Sequence, residues 1–410
     1  MSKLLARADS AIASDTDPSL MLHDLVIVGA GPVGATLALA LLDSDLDVVA
    51  LDARPAGSIA RSDRSLALSH GTRLVFERLG VWNEVTATPG AVTPITDIDI
   101  SQRGGFGRAR LHARDHGVDA LGYVVSYRAL QHALDSALGR AGMSIEHGVD
   151  VTRVSAAAES AHVVGERNGA AVEWSARLAA VADGGGDVVD YIARRRHDYR
   201  QAALVARIWS NQPHGGLAFE RFTDEGPIAL LPEQDHYGLV WTTTPENASA
   251  LVALPEQAFL TALSKRFGPC AGPWTRVTDR RTFPLALEFA TRIAGERTVL
   301  LGNAAQALHP VAGQGFNLGV RDAYELAQEL LANSTLADRE HFGAPQFLAA
   351  YSRHRTADRW SGIAFTHGLL GIFGADVALL RWPRGLALTL LDALPPVKRM
   401  FTRAMLYGVH

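Results

Sequence analysis

Cysteine is nearly absent: Cys270 is the single one in 410 residues, so no disulfide can close within the chain. That fits a reducing compartment. An excess of basic charge is also missing. The 39 Lys and Arg against 43 Asp and Glu leave a net charge of −4, without the positive footprint of a nucleic-acid binder, and no nucleic-acid partner is expected. No run of about 18 apolar residues offers a bilayer-spanning helix. Residues 1–21 are small and polar, with no apolar stretch of the kind a signal peptide carries, and are expected to form a disordered extension. A cytoplasmic chain is expected, with no metal site. The run Arg194, Arg195, Arg196 is expected to be a solvated face. What remains is an ordinary balance of 48% hydrophobic and 20% charged residues, enough for two lobes around one ligand.

The informative residues are glycines. Residues 23–30 (HDLVIVGA) form a short apolar, β-branched run that predicts a buried parallel strand. Gly29, Gly31 and Gly34 follow at G-x-G-x-x-G spacing, and residues 35–42 predict a helix. The first glycine permits the tight turn, the second lets backbone approach phosphate, and the third lets helix and strand pack closely. The next strand, residues 47–53, ends in Asp52, where an acid is expected to bind ribose hydroxyls. Together these predict a dinucleotide site.

Other residues bear on which dinucleotide. Arg64 follows the second strand, where its guanidinium could pair with a pyrophosphate. Residues 181–184 (VADG) end an apolar run in Asp183 and a glycine. Residues 302–322 read GNAAQALHPVAGQGFNLGVRD, with Asn303 after Gly302, then Gly313, Gln314 and Gly315 before a helix expected to begin near Phe316 and Asn317. Such a helix N-terminus would stabilise negative charge on a flavin pyrimidine edge. No second G-x-G-x-x-G exists for a resident nicotinamide cofactor. FAD clasped at both ends is expected, with NAD(P)H a transient reductant. Arg128 and Gln131, on a helix predicted from residue 127, are candidate contacts to the flavin or its phosphates, each equally readable as helix surface. His309 is a candidate proton relay and Pro310 a candidate water-excluding residue against the flavin face; His309 reads equally as a structural hydrogen bonder.

These stretches, with SDRSLALS, FERFTDEGPIALLP at 219–232, LVW at 239–241 and FPLAL at 283–287, resemble the FAD-dependent aromatic hydroxylases of the p-hydroxybenzoate hydroxylase fold, and among them the ubiquinone-biosynthesis hydroxylases. The GNAAQ variant is most similar to the 2-polyprenyl-6-methoxyphenol hydroxylases of that group. The resemblance implies an α/β fold with a Rossmann-type FAD-binding lobe (22–90, 120–185 and 285–335) interleaved with a mainly antiparallel substrate lobe (91–119 and 186–284), then a C-terminal helical segment, 336–410. It implies hydroxylation of a polyprenylated phenol by dioxygen through a flavin C4a-hydroperoxide, with a ubiquinone-biosynthesis complex as partner. The chain departs from the family's D-G-x-x-S-x-V-R motif: Asp187 and Asp190 stand at the serine and arginine positions. No general base for the phenol stands out.

Alternatives stay open at this point. They are a hydroxylase of another ring position or of a soluble aromatic, and a non-catalytic FAD-binding subunit. A flavin halogenase is disfavoured because none of the seven tryptophans forms the expected motif. The apolar C-terminal segments, flanked by Arg381, Arg384, Lys398, Arg399 and Arg403, read either as buried cap helices or as a peripheral contact with the inner face of a membrane.

Overall fold

A computed structural model describes residues 21–58, 64–308, 313–374 and 381–409. The strand Leu22–Val28 is β-branched and apolar, and five of its seven residues are buried. It pairs in parallel with Val48–Asp52 on one side and Ala170–Val181 on the other, inside an eight-stranded sheet. The chain leaves it through the glycine turn into the helix Pro32–Ala40, where proline at the start sacrifices only an N–H that no turn of helix would have used. The strand Thr298–Leu300 joins the same sheet beside Ala170–Val181. The second glycine-rich stretch, separated from the first by more than two hundred residues, therefore emerges close to it.

A second eight-stranded sheet carries the alternating apolar pattern. Its centre is Arg194–Ser210, Leu217–Thr223, Gly226–Glu233, His236–Thr243 and Trp274–Ala290. Asp97–Gln102 pairs with Leu217–Thr223 in parallel, and Arg108–His112 closes that edge. The expected lobe boundary at residue 284 falls inside a single strand, because Trp274–Ala290 pairs with Arg194–Ser210 along most of its length. A third, three-stranded sheet (Ser65–Ser69, Gly122–Ser126, Val92–Ile95) bridges the two.

The helix Gln314–Ala332 lies between the helices Pro32–Ala40 and Pro345–Gly374. It holds an ion-pair network sealed from solvent. Arg355 donates to Asp322 at 2.8 Å and to Asp358 at 2.7 Å, and Arg321 donates to Asp358 at 2.8 Å. Burial works against ionisation of Asp358, but Arg321 and Arg355 outweigh it and hold its carboxyl below the usual range. The Val409 N–H also reaches Asp358, at 3.1 Å, which ties the C-terminal end to this centre. Arg355 is 1% exposed, and removing it leaves buried Asp322 with no cationic hydrogen-bond partner among the described residues and Asp358 with Arg321 alone. Breaking such a pair costs about 3–5 kcal/mol. Arg355→Met is expected to lose about that much in urea unfolding of the holoprotein. A loss below about 1 kcal/mol would mean that the acids find other partners.

Candidate active site

The three glycines of the first loop do different work. Gly29 has φ +97°, and a Cβ there would lie 2.6 Å from the Ala182 carbonyl oxygen. Gly34 is tighter: its Cβ would stand 1.9 Å from the carbonyl oxygen of Gly29. A Cβ on Gly31 would meet nothing within 4 Å, which leaves open space at the helix N-terminus where a phosphate is best received. Val33, one turn in, packs against Gly302 and Gly319, and a Cβ on Gly319 would lie 2.9 Å from the Gly302 Cα. The first loop thus meets the second through Val33, where the second folds on itself at a contact that needs glycine. The turn after Asp183 joins them, with Gly185 at φ +111° beside the Asn303 carbonyl. Asp183 accepts from the Gly185 N–H at 3.0 Å, and burial raises its pKa.

Asp52 does not stand free for a ribose. Its carboxylate takes the Arg54 guanidinium at 2.6 and 3.0 Å and the Arg54 backbone N–H at 2.8 Å. Arg54 in turn donates to Asp135 at 3.1 Å and to the Ala30 carbonyl at 3.0 Å. Burial opposes its charge, but the bonds to Asp52 and Asp135 outweigh this and raise its pKa. Two residues past the strand end, the guanidinium engages the acid, so Asp52 orients Arg54. Arg54, Ser58, Ser126, Arg128, His132 and Asp135 line a polar cavity of about 890 Å³. Gln131 is buried, donates to Ala30 and Asp135, and leaves its Oε1 without a partner. Arg64 is exposed and lies over the Tyr127 ring at 4.5 Å, at the same helix end as Arg128.

At the second loop, His309 and Pro310 lie outside the described residues. Gly313, at φ +59°, starts the helix, and its Cβ would meet that of Ala67 at 2.9 Å. Gln314, Gly315 and Phe316 form the first turn, whose N–H groups have no partner within the helix. The Asn317 side chain is engaged by the protein itself. Its side chain donates to the Ala67 and Gly313 carbonyls at 3.0 and 2.8 Å and accepts from the Ser69 N–H at 2.8 Å. It therefore holds the loop in place. Asn303 is exposed at the turn. Arg194, expected on a solvated face, instead clamps this turn through the Ala304 and Asn303 carbonyls at 2.8 and 3.2 Å. Arg195 and Arg196 are exposed as expected. Asp187 and Asp190 pair loosely with Arg194 and Arg153 on the surface.

Between the second sheet, the start of helix Gln314–Ala332 and the helices Arg381–Ala393 and Pro395–Tyr407 lies an apolar cavity of about 270 Å³. Ile98, Ile100, Ala229, Leu231, Leu388 and Met405 are among its walls, and Gly313, Gln314 and Asn317 face it from the loop. Glu220 is the one charged residue among those lining it. Glu220 is half-buried, and its side chain is among those lining this cavity. Its Oε1 has no hydrogen-bond partner. Burial alone pushes its carboxyl up to about 7.

Comparison with known proteins decides the family. The family model described as FAD binding domain matches residues 23–366. The chain belongs to this FAD-binding family. It is 32% identical over 408 residues to the ubiquinone hydroxylase UbiL of Rhodospirillum rubrum, covering 96% of this chain and 92% of that protein. It is 27% identical over 401 residues to the ubiquinone hydroxylase UbiM of Neisseria meningitidis, covering 94% and 85% respectively. Among solved structures, p-nitrophenol 4-monooxygenase PnpA from Pseudomonas putida superposes with TM-score 0.76 at 18% identity, over 95% of this chain and 99% of that one. It shares the fold.

The residues of this FAD-binding chain fit the cofactor. Gly31 leaves room for a phosphate, the first turns of two helices offer N–H groups, and the buried Gln131 Oε1, on the helix that carries Arg128 and His132, has no donor among the described residues. Two residues at these cavities are not singled out by any motif in the sequence. Arg54 was signalled by a basic residue just after the strand-end acid. Glu220 was signalled by an acid between Ala218 and Phe222 on one face of a strand.

Gly34→Ala is expected to open the loop and to leave the purified protein with about a tenth or less of the wild-type FAD, because a distortion of about 1.4 kcal/mol already weakens binding about tenfold. Wild-type flavin absorbance in the variant would refute the crowding. Glu220 titrates between 4.5 in the unfolded chain and about 7 in the fold. The neutral acid is the form the fold accepts, so stability is full below that window and falls as pH rises through it. Glu220→Gln cannot ionise and should match wild type near pH 4.5, then exceed it by about 3 kcal/mol above pH 7. Urea unfolding of substrate-free holoprotein across that range measures the gap, and a pH-independent gap would place the shift elsewhere.

Proposed function

We propose that the chain is an NAD(P)H- and dioxygen-dependent FAD monooxygenase that hydroxylates the ring of a polyprenylated phenol in ubiquinone biosynthesis, with 2-polyprenyl-6-methoxyphenol the substrate. The observation that carries this reading is one apolar cavity that adjoins the flavin-facing loop at Gly313 and Gln314 and is walled elsewhere by the two C-terminal helices. FAD, when bound, supplies hydride acceptance from a nicotinamide and activation of dioxygen for transfer of one oxygen atom. The chain supplies the rest. Gly31 and the helix Pro32–Ala40 would hold phosphate, and Arg54 and Arg128 offer positive charge at the polar cavity. The first turn of helix Gln314–Ala332 would offer N–H groups to the flavin. The aliphatic walls exclude water from the ring and bind the prenyl tail.

Gln306, on which the choice of ring position leans, does not touch the cavity. It is fully buried, donating to Asp322 at 2.8 Å and accepting from Arg359 at 2.9 Å. Its amide thus couples the turn at Gly302 to the ion-pair network, a task that needs a donor and an acceptor at once.

The same two helices face outward with Trp382, Leu386, Leu390, Leu394, Val397 and Met400, of which Trp382 is 74% and Met400 70% exposed. Arg399 and Arg403 are exposed beside them. No described helix is long and apolar enough to cross a membrane. The stripe suits shallow insertion at a lipid surface, with the tail entering between the helices.

Two outcomes are expected. The holoenzyme should add one oxygen to 2-geranyl-6-methoxyphenol with kcat/KM about 100-fold or more above that for 2-methoxyphenol, since four buried CH2 groups contribute about 3 kcal/mol. Equal turnover of the two would sink the tail-binding reading, and mass spectrometry of the product identifies the carbon. The protein should also float with anionic vesicles, and a variant with Leu386, Leu390 and Met400 all changed to Glu should not. Equal flotation of the two would remove the membrane contact.

A further inference from the structure

Glu220 sits where an ordinary core would place Leu. Its strand neighbours in register are Ile100 on one side and Ala229 on the other, and Ala218 and Phe222 flank it on the same face. A carboxyl there loses its hydration and gains no protein partner in return, a cost that a hydrocarbon side chain would avoid. No neighbouring charge explains its presence. On the packed elements, Asp97 is held by His112, Asp99 by Arg108 and Arg110, and Glu233 by Ser65. Arg221 turns to Ser101 and the Phe267 ring, and Lys398 to Asp392. Asp224 and Glu225 pair with Arg266. Arg384, Arg399 and Arg403, on the C-terminal helices, do not line the cavity. Burial is the single cause of the Glu220 shift, so the group is neither a salt-bridge member nor a structural cap. An unpaired ionisable group aimed into an apolar cavity is the arrangement that active sites maintain at the expense of stability.

We propose that Glu220 is the proton acceptor for the phenolic hydroxyl of the substrate. This rests on the function proposed above and adds the missing base. The cavity places Glu220 on the sheet wall and Gly313 and Gln314 on the flavin side, so a ring lying between them meets a carboxyl with its hydroxyl and the cofactor with its carbon edge. The phenol O–H bond breaks, its electron pair stays on oxygen, and the proton forms an O–H bond on a Glu220 carboxylate oxygen. The ring becomes more electron-rich toward oxygen attack. The proton returns when the product leaves as a neutral phenol. The step exchanges one proton and needs no further oxidant or reductant. A carboxyl poised near neutrality can both take and return that proton.

The test uses wild-type, Glu220→Gln and Glu220→Asp holoproteins with 2-geranyl-6-methoxyphenol as the probe. Calorimetric titration in two buffers of different ionisation enthalpy, from about pH 6 to about pH 8, counts protons exchanged on binding, and steady-state assays give kcat and KM over the same range. Wild type should exchange protons on binding with a pH dependence centred near neutrality, and Glu220→Gln should exchange none. The Gln variant should lose about 100-fold or more in kcat with a much smaller change in KM, and Asp should restore part of the rate and the pH profile. If Glu220→Gln binds and hydroxylates within about twofold of wild type with the same proton count, the inference fails and the proposed function stands. A wild-type holoprotein that does not bind the probe overturns the proposed function and this inference with it.

Discussion

The structure depends on a crossing that only glycine allows. Val33, in the first turn of the helix after the first loop, rests on Gly302 and Gly319, and those two glycines come so close that a single Cβ on Gly319 would press on the Gly302 Cα. This contact brings together segments separated by more than 260 residues. It holds the N-termini of the helices Pro32–Ala40 and Gln314–Ala332 in fixed relation. A methyl group at either position would separate them, and a cofactor spanning both would lose one hold. The buried Arg355 network stands behind this crossing. It fixes Asp322, which receives the Gly302 N–H and the Gln306 amide, so charge deep in the core sets the angle of a loop at the surface of the cofactor site.

The two cavities divide the chemistry by polarity. The larger is lined by arginines, histidines and serines, and suits phosphate and ribose. The smaller is aliphatic and carries one carboxyl. Low polarity makes that carboxyl resist ionisation, and the same low polarity would slow loss of activated oxygen to water. The C-terminal helices complete the small cavity and also carry apolar side chains outward, so the same two elements shape the interior wall and an exposed apolar face.

Much of this was legible in the chain. Strand, glycine turn and helix at the start follow from local pattern, and the second glycine-rich stretch opens a helix at Gln314, close to the expected start near Phe316. Long-range pairing was not legible: Arg194–Ser210 begins with polar residues that pair with Trp274–Ala290, a partner that no local window reveals. Polar side chains were read less well. Asp52 was assigned to a ribose because the spacing suits it, but Arg54 takes the carboxylate. Asn317 was assigned to the cofactor, but it spends its amide on backbone. Arg194 was read with its two neighbours as solvated, but strand alternation turns it toward the turn at Gly302. In each case the residue type and its place in the sequence were right for two roles, and the choice depended on which partner the fold brought within about 3 Å.

By itself, the sequence determined the covalent and local matters: where glycine is obligatory, which segments alternate, which are apolar on both faces, and which family the chain resembles. These follow from backbone sterics and hydrophobic periodicity, both properties of neighbours along the chain. Tertiary structure alone decided which polar atoms are satisfied and which are left without partners. The solvation of Glu220 depends on Ile100, Ala229 and two helices that begin more than 150 residues later, so its isolation, and the chemistry that isolation permits, exist only once the chain has folded around it.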